Sequence, residues 1–463
     1  MNTINWDIIL DFAIISSALL LASFLREKIK PLKRILAPIN ILAGLLCLFA
    51  GQEFLAFIDL SPNRLGNYVY HLLPLTFIAM SLRKTESKFN NSTFSTGLIL
   101  SLGYSTQAFI GLSITFLYIL FISPDLFPNF GYLLMLGFGQ GPGQAYSLGT
   151  VWEQSGFTNG GALGLTFAAL GYLWAAIPGV ILIAFARKRS EKKGLIVSQK
   201  TTSTPKNTSS QSTEINITSQ FSWIAFVYLL TFCLITLIEK SFLSSNSAIA
   251  LQIKSTLWGV HFIIASLLAI LVRKLISLSK NDQLISNSSM TKFSGVLLDF
   301  MVVSAIAAIS INALYQHLGL ILFMSTAGGI AMIFLTRWLL KKSQLENKNE
   351  RFAAVFGTLT GTLSTGLTLN RIIDPEFKTP ASQDLVLGAG ISVPFTLPIF
   401  ASFILPLYGR TTTNPHLYYL ANIAMIGIYI LGLYFLWRFI TLRNIRNNSY
   451  SYSKNELKDA LYQ

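Results

Sequence analysis

Charge is scarce in this chain of 463 residues: Asp, Glu, Lys and Arg make up 12% of it, while hydrophobic residues make up 52%. A soluble domain carries about 25% charged residues. The deficit excludes an ordinary soluble fold, and a mean hydropathy of +0.55 places the chain among polytopic membrane proteins. Cysteine is scarcer still. Cys47 and Cys233 are the only two, and both lie inside apolar runs. They read as buried thiols, with no disulfide framework and no thiolate metal cluster. His71, His261, His317 and His416 are scattered and form no ligand set. A membrane-embedded enzyme would need a nucleophile with a base, paired carboxylates or metal-ligand spacing inside the spans, and the sequence shows no such set. Neither an enzyme nor a bound cofactor is expected.

Acidic residues are also few, 20 against 35 Lys and Arg, for a net charge of +15. An excess of this kind can signal nucleic acid, but its location argues for a bilayer instead. All the basic residues except Arg64, Lys240, Lys254 and Arg410 fall on one set of alternate loops, among them the clusters at 26–34, 83–88, 187–193 and 273–280. By the positive-inside rule that side is cytoplasmic, which predicts an outside N-terminus and a cytoplasmic C-terminus. The first apolar run, 6–24, has no basic region before it and no small-residue cleavage site, so it reads as a retained helix.

Apolar runs at 6–24, 35–50, 65–82, 94–122 and 160–185 predict five spans within a first half, 1–189. The stretch 190–220 is rich in Ser, Thr, Asn, Gln and Lys and predicts a flexible cytoplasmic linker. A second half, 221–407, repeats the pattern with runs at 221–238, 257–275, 293–314, 320–340 and 384–407. A last span at 417–437, within 408–463, has no counterpart in the first half. An odd number of spans per half makes the second enter the membrane upside down. The expected fold is therefore an all-α polytopic membrane protein of two inverted repeats of about five helices each, plus one extra C-terminal helix.

Each half carries one apolar segment interrupted by glycine. The first, about 131–157, holds Gly137-Phe-Gly-Gln-Gly-Pro-Gly-Gln144, and the second, about 351–374, holds Gly357-Thr-Leu-Thr-Gly-Thr-Leu-Ser-Thr-Gly366. Arms of roughly ten residues reach about halfway through a 30 Å hydrocarbon core, which predicts re-entrant hairpins. With the orientation set by the loop charges, one hairpin enters from outside and the other from the cytoplasm, so their tips converge. Glycines can also mark a plain helix crossing. Alternating glycines with Pro142, Gln140 and Gln144 point instead to an unwound tip, whose free carbonyls suit a cation and whose following helix N-terminus suits an anion. In the second segment the hydroxyls of Thr358, Thr360, Thr362, Ser364 and Thr365 could simply bond back to their own helix, yet they exceed what back-bonding needs. Oxygen-rich, thiol-free surroundings suit sodium or a proton as coupling ion.

The candidate substrate-binding residues are accordingly Gln107, Gln140, Gly141, Pro142, Gly143, Gln144, Ser147, Thr362, Ser364 and Thr365, and the candidate sodium ligands are Gly139, Thr358, Thr360, Gly361 and Asp299. Gln107 lies near the middle of a long span, and Asp299 about two turns into another, where Lys292 could satisfy it. Arg371 could clamp a carboxylate, but a cap beside Asp374 is the preferred reading.

The run Gly137 to Glu153 leading through Ser155-Gly-Phe-Thr-Asn159, together with Gly361-Thr-Leu-Ser-Thr-Gly-Leu-Thr-Leu-Asn-Arg371 and Asp374-Pro-Glu-Phe-Lys-Thr-Pro380, resembles the bacterial sodium/glutamate symporter family. The topology matches over nearly the whole chain except the linker and the last span, while Gln140 and Pro142 depart from the family's tip. The resemblance implies sodium-coupled symport of glutamate or a related amino or dicarboxylic acid, an elevator-type alternating-access mechanism, a homodimer, and a place in the bacterial inner membrane. The expected partners are a small anionic substrate, sodium and the lipid bilayer. A proton-coupled carboxylate carrier is the alternative, and a channel a more distant one.

Overall fold

The computed structural model describes residues 6–29, 38–52, 54–84, 90–185, 216–242, 253–254, 257–309, 311–343, 345–374 and 378–461, with side chains except at 242, 311–313 and 443–461. Every regular element among them is helical. Nine of these helices are long and apolar enough to cross a membrane, so the chain is a multi-pass membrane protein.

The first four helices are α1 Asp7–Lys28, α2 Ile39–Ala50, α3 Pro62–Ser81 and α4 Asn91–Phe121. A broken segment follows, with one arm at 128–140 (α5) and the next at Pro142–Glu153 (α6). Then come α7 Gly160–Phe185, α8 Ile217–Phe242, α9 His261–Leu278, α10 Asn287–Ala307 and α11 Leu318–Ser343. The second broken segment is α12 Lys348–Leu359 and α13 Leu363–Ile373. It is followed by α14 Pro380–Gly409 and α15 Pro415–Leu461. Local chemistry explains the starts. Asn90 accepts from the Thr93 amide ahead of α4, and Ser286 accepts from the Ser289 amide ahead of α10. Proline occupies the first turn of α3, α6 and α14, where its missing N–H breaks no helical bond.

Every expected span meets a helix, with differences at the edges. The α2 helix has 12 residues, about 18 Å of rise, well short of a hydrocarbon core. The expected linker 190–220 lies outside the described residues up to 215, and its end belongs to α8. Gln220 is buried there, donating to the Leu284 carbonyl and accepting from the Ser286 amide. Its polarity reads as linker, but its amide has two backbone partners far along the chain. Cys233, expected to be buried, is exposed on the same helix, on a face that also exposes Phe226, Leu229 and Leu237. An apolar run does not reveal which of its faces turns outward. Cys47 is buried.

The chain forms two compact units, and each draws on both halves of the sequence. The first takes Met1–Glu86, Gly141–Ala169 and Phe185–Ile321, and the second takes Ser87–Gln140, Leu170–Ala184 and Leu322–Gln463. In the first unit α3 lies against α9 and α10, α2 against α1 and α10, and α6 against α3. Its interior includes Ile78, Ile224, Val227, Ala265 and Met290. Asp11 on α1 is buried and held by the Arg64 guanidinium at 2.8 Å and the Tyr68 hydroxyl at 2.8 Å. In the second unit α4 is central, flanked by α5, α12, α14 and α15. Phe130, Phe138, Phe356, Phe403 and Trp437 are fully buried there. The division by packing thus differs from the division into halves: the first three spans of each half belong to one unit, and the fourth span with the arm after it belongs to the other.

Candidate functional site

Both glycine-interrupted segments are helices with a break. In the second, α12 ends at Leu359 and α13 begins at Leu363, and the two pack on each other so closely that a Cβ on Gly357 would lie 2.8 Å from the Gly366 Cα. Thr360 closes the first arm, its amide and its hydroxyl both donating to the Phe356 carbonyl. Thr362 opens the second in extended backbone, φ −140 and ψ 174. Three hydroxyls gather at that start. Thr362 Oγ1 is 2.8 Å from Ser364 Oγ and 3.3 Å from Thr365 Oγ1. The buried Tyr172 phenol stands beside Thr362, outside direct hydrogen-bonding geometry.

The first segment breaks differently. Its α5 arm passes from a 3-10 turn, Pro128–Gly131, into a wide π turn, Met135–Gln140, and the next residue, Gly141, takes φ 96 and ψ 173. Pro142 then opens α6.

Within the second unit the end of the α5 arm and the break between α12 and α13 come together on α4 and α7. Gln107 on α4 is fully buried, and its Nε2 donates to the Leu359 carbonyl at 2.6 Å, the last carbonyl of α12. Its Oε1 has no partner and points at Gly139, where a Cβ would stand 2.8 Å from it. Gly103, one turn earlier, leaves room for the Leu359 side chain, whose methyls a Cβ would meet at 2.5 Å. Gly171 on α7 touches the second break and the α5 arm at once: a Cβ there would lie 2.9 Å from the Thr360 carbonyl oxygen and 3.1 Å from the Phe138 Cα. One amide and two glycines therefore let the last carbonyl of α12, the Thr360 carbonyl and the end of the α5 arm lie close together.

The expected residues divide accordingly. The structure brings together Gln107, Gly139, Thr360, Gly361, Thr362, Ser364 and Thr365, and Gln140 ends the α5 arm half-buried. Thr358 is spent elsewhere: its hydroxyl donates to the Ala354 carbonyl at the α12–α13 crossing, against Gly366. Gly141, Pro142, Gly143, Gln144, Ser147 and Asp299 belong to the first unit. There Gly143 packs against Leu73 and Met301, Gln144 keeps a buried, unpartnered Oε1, and Ser147 donates to the Gly259 carbonyl at 3.0 Å. Asp299 is exposed and accepts from the Asn40 amide at 2.9 Å. Arg371 is exposed, while Asp374 is buried and accepts from the Lys378 and Thr379 amides, capping the turn beyond α13.

Sequence reasoning missed three features. Asn370 is fully buried on α13 with neither amide atom partnered, although it stands inside a quoted motif. Its place four residues after Gly366, on the face turned to α12, was the readable signal. Tyr172 looked like one aromatic among many. Arg351 and Asp384 form a buried ion pair at 2.7 Å, and nothing in a sequence tells that residues at two helix starts face each other. Comparison of the chain with family models, with curated proteins and with solved structures finds no match.

Proposed function

We propose that the protein is a secondary active transporter that couples sodium entry to uptake of glutamate or a related amino or dicarboxylic acid, working by an elevator-type alternation as a homodimer in the bacterial inner membrane. The observation that carries this reading is the meeting of the π-turn end of α5 with the break between α12 and α13 around Gln107 in the second unit. Irregular backbone inside an apolar protein costs free energy for each unpaired group, and it persists where a polar ligand completes it. Membrane-spanning helices alone support transport only in general. The breaks support this volume as its location.

The chemistry of the cluster supports sodium over a proton. Gln107, Thr360, Thr362, Ser364 and Thr365 offer neutral carbonyl, amide and hydroxyl oxygens, which coordinate a hard cation and do not titrate near neutral pH. Thr360 donates its hydroxyl proton to Phe356 and keeps oxygen lone pairs for an ion. The amides at the start of α13, framed by three hydroxyls, suit a carboxylate. Topology supports the repeat: the fourth span and the following arm of each half belong to the same unit. The loop charges support an outside N-terminus and a cytoplasmic C-terminus.

The test is uptake by proteoliposomes. Saturable accumulation of a labelled amino or dicarboxylic acid, driven by an inward sodium gradient and absent with potassium, is the expected result. Accumulation driven equally by a proton gradient without sodium would favour the proton-coupled reading, and unsaturable downhill flux would favour a channel.

A further inference from the structure

Below the tip of the second broken helix lies a buried network that the site does not use. Arg351, in the first turn of α12, is 3% exposed, and Asp384, in the second turn of α14, is 2% exposed. Asp384 Oδ2 accepts from Arg351 Nη2 at 2.7 Å and from Ser92 Oγ at 2.5 Å, and Oδ1 accepts from Thr93 Oγ1 at 2.6 Å. Arg351 also reaches Thr96 Oγ1 at 3.4 Å and the Glu346 carbonyl at 2.8 Å. Three helix starts, those of α4, α12 and α14, are thereby joined by one carboxylate. Paired and hydrogen-bonded charges of this kind are strongly directional, and removing one partner leaves the other buried without compensation.

The same α4 helix holds the far end of α12. Thr96 meets Arg351 at the base, and about 10 and 16 Å further along α4, Gly103 and Gln107 meet Leu359, about 12 Å along α12. The two helices thus run side by side, tied at both ends. Between the ties every residue from Arg351 to Leu359 is buried, Phe352 stacks on Phe356 at 5.4 Å, and the Arg337 guanidinium covers the Phe352 ring at 5.0 Å. On α13 only Thr365, Gly366, Leu369 and Asn370 are buried, and Asn370 has no partner. One arm is tied to its neighbours by buried charge-assisted bonds, and the other packs on it through Gly366.

We propose that Arg351 and Asp384 are positioning residues: they fasten α12 to α4 and α14 as one rigid body and so fix where the Thr362–Ser364–Thr365 cluster stands, with motion of the hairpin confined to α13. This rests on the transport reading for its consequence, but not for its test. In a background with Cys47→Ala and Cys233→Ala, a Thr362→Cys reporter is labelled with a membrane-permeant maleimide, and the half-saturating sodium concentration for uptake is measured in the same background with Thr362 retained. Asp384→Asn and Arg351→Gln should each raise the labelling rate at the reporter on the order of tenfold and raise half-saturating sodium comparably, through loss of a buried charge-assisted bond. Arg351→Lys should fall between them and the parent. A Thr291→Cys control in the first unit should not change.

Unchanged labelling at Thr362→Cys in variants with lowered thermal stability would overturn the proposal and leave the pair as a stabilising contact only. Should the neutral variants fail to accumulate, Thr93→Val removes one bond to Asp384 and keeps both charges. A rise in labelling of about threefold is then expected, matching part of one hydrogen bond, and no rise overturns the idea. If the parent protein takes up none of the acids offered, the transport reading fails, while the labelling result still decides whether the pair positions the tip.

Discussion

At Gly141 the backbone stands at φ 96 and ψ 173, a region that any side chain makes costly. At Gly361 φ is not positive, and what a Cβ would meet is a neighbour: Thr365 Oγ1 at 2.8 Å, Cβ at 2.9 Å and Cγ2 at 3.0 Å. Two glycines that look alike in the sequence therefore have different work. One supplies a dihedral and the other supplies space. The breaks differ in chemistry as well, because the first pairs glycine with amides and the second surrounds glycine with hydroxyls. A dihedral cannot be restored by trimming a neighbour, whereas space can.

That contrast orders the expected effects. Gly141→Ala should abolish most uptake at normal membrane levels, since strain of about 1–3 kcal/mol falls on the break itself and no second substitution relieves it. Gly361→Ala should also reduce uptake, through overpacking of about 1–3 kcal/mol. Combining it with Thr365→Ala, which removes two of the three close atoms, should recover part of the loss in thermal stability and in maximal rate. Uptake and melting temperatures of the two single glycine variants and of each combined with Thr365→Ala would be measured together. Equal rescue of both glycine variants by Thr365→Ala would erase the distinction, and so would none for either.

A smaller effect is expected at the residue that joins the breaks. Gln107→Leu keeps the volume but takes the donor from the Leu359 carbonyl, leaving a buried acceptor unpaired at about 1–3 kcal/mol. Half-saturating sodium or substrate should rise roughly tenfold, with a melting temperature lowered by a few degrees. Gln107→Glu, which puts a charge beside Gly139 and faces the same carbonyl with an acceptor, should be worse than Leu. Wild-type kinetics for both would show that Gln107 merely packs.

Much of this arrangement was legible in the sequence because membrane burial writes plainly: each apolar run located a helix, nine of the described ones long and apolar enough to cross a membrane, and glycine, proline and hydroxyl clusters located both breaks. The short helix α2 and the buried Gln220 were less legible, since hydropathy averages over a window and does not register a single amide with two distant partners. Arg351 was the harder case. Counted among loop charges, it is in fact buried against Asp384, and only the convergence of three helix starts makes that tolerable. Spacing also did not separate the five hydroxyls of the second segment. That separation depends on which carbonyl each one faces.

The finest distinction lies within that hydroxyl set. Thr358 and Thr360 both donate to carbonyls four residues back, the ordinary behaviour of a hydroxyl in a helix, while Thr362 bonds to Ser364 and Thr365 at the half-buried start of α13. Removing a back-bonded hydroxyl leaves the helix its own amide bonds, so Thr358→Ala should change half-saturating concentrations less than about twofold, less than half of one net hydrogen bond. On the proposed transport reading, Thr362→Ala or Ser364→Ala should raise them by about tenfold, because each takes a hydroxyl from the cluster that would meet the ligand. Thr360 falls between, its proton committed and its lone pairs still turned toward the break. Uptake titrations of the four alanine variants, matched for membrane level, would rank them. If Thr358→Ala equals Thr362→Ala, the second break acts through helix packing at Gly366, and the hydroxyl cluster at the start of α13 has no special part in binding.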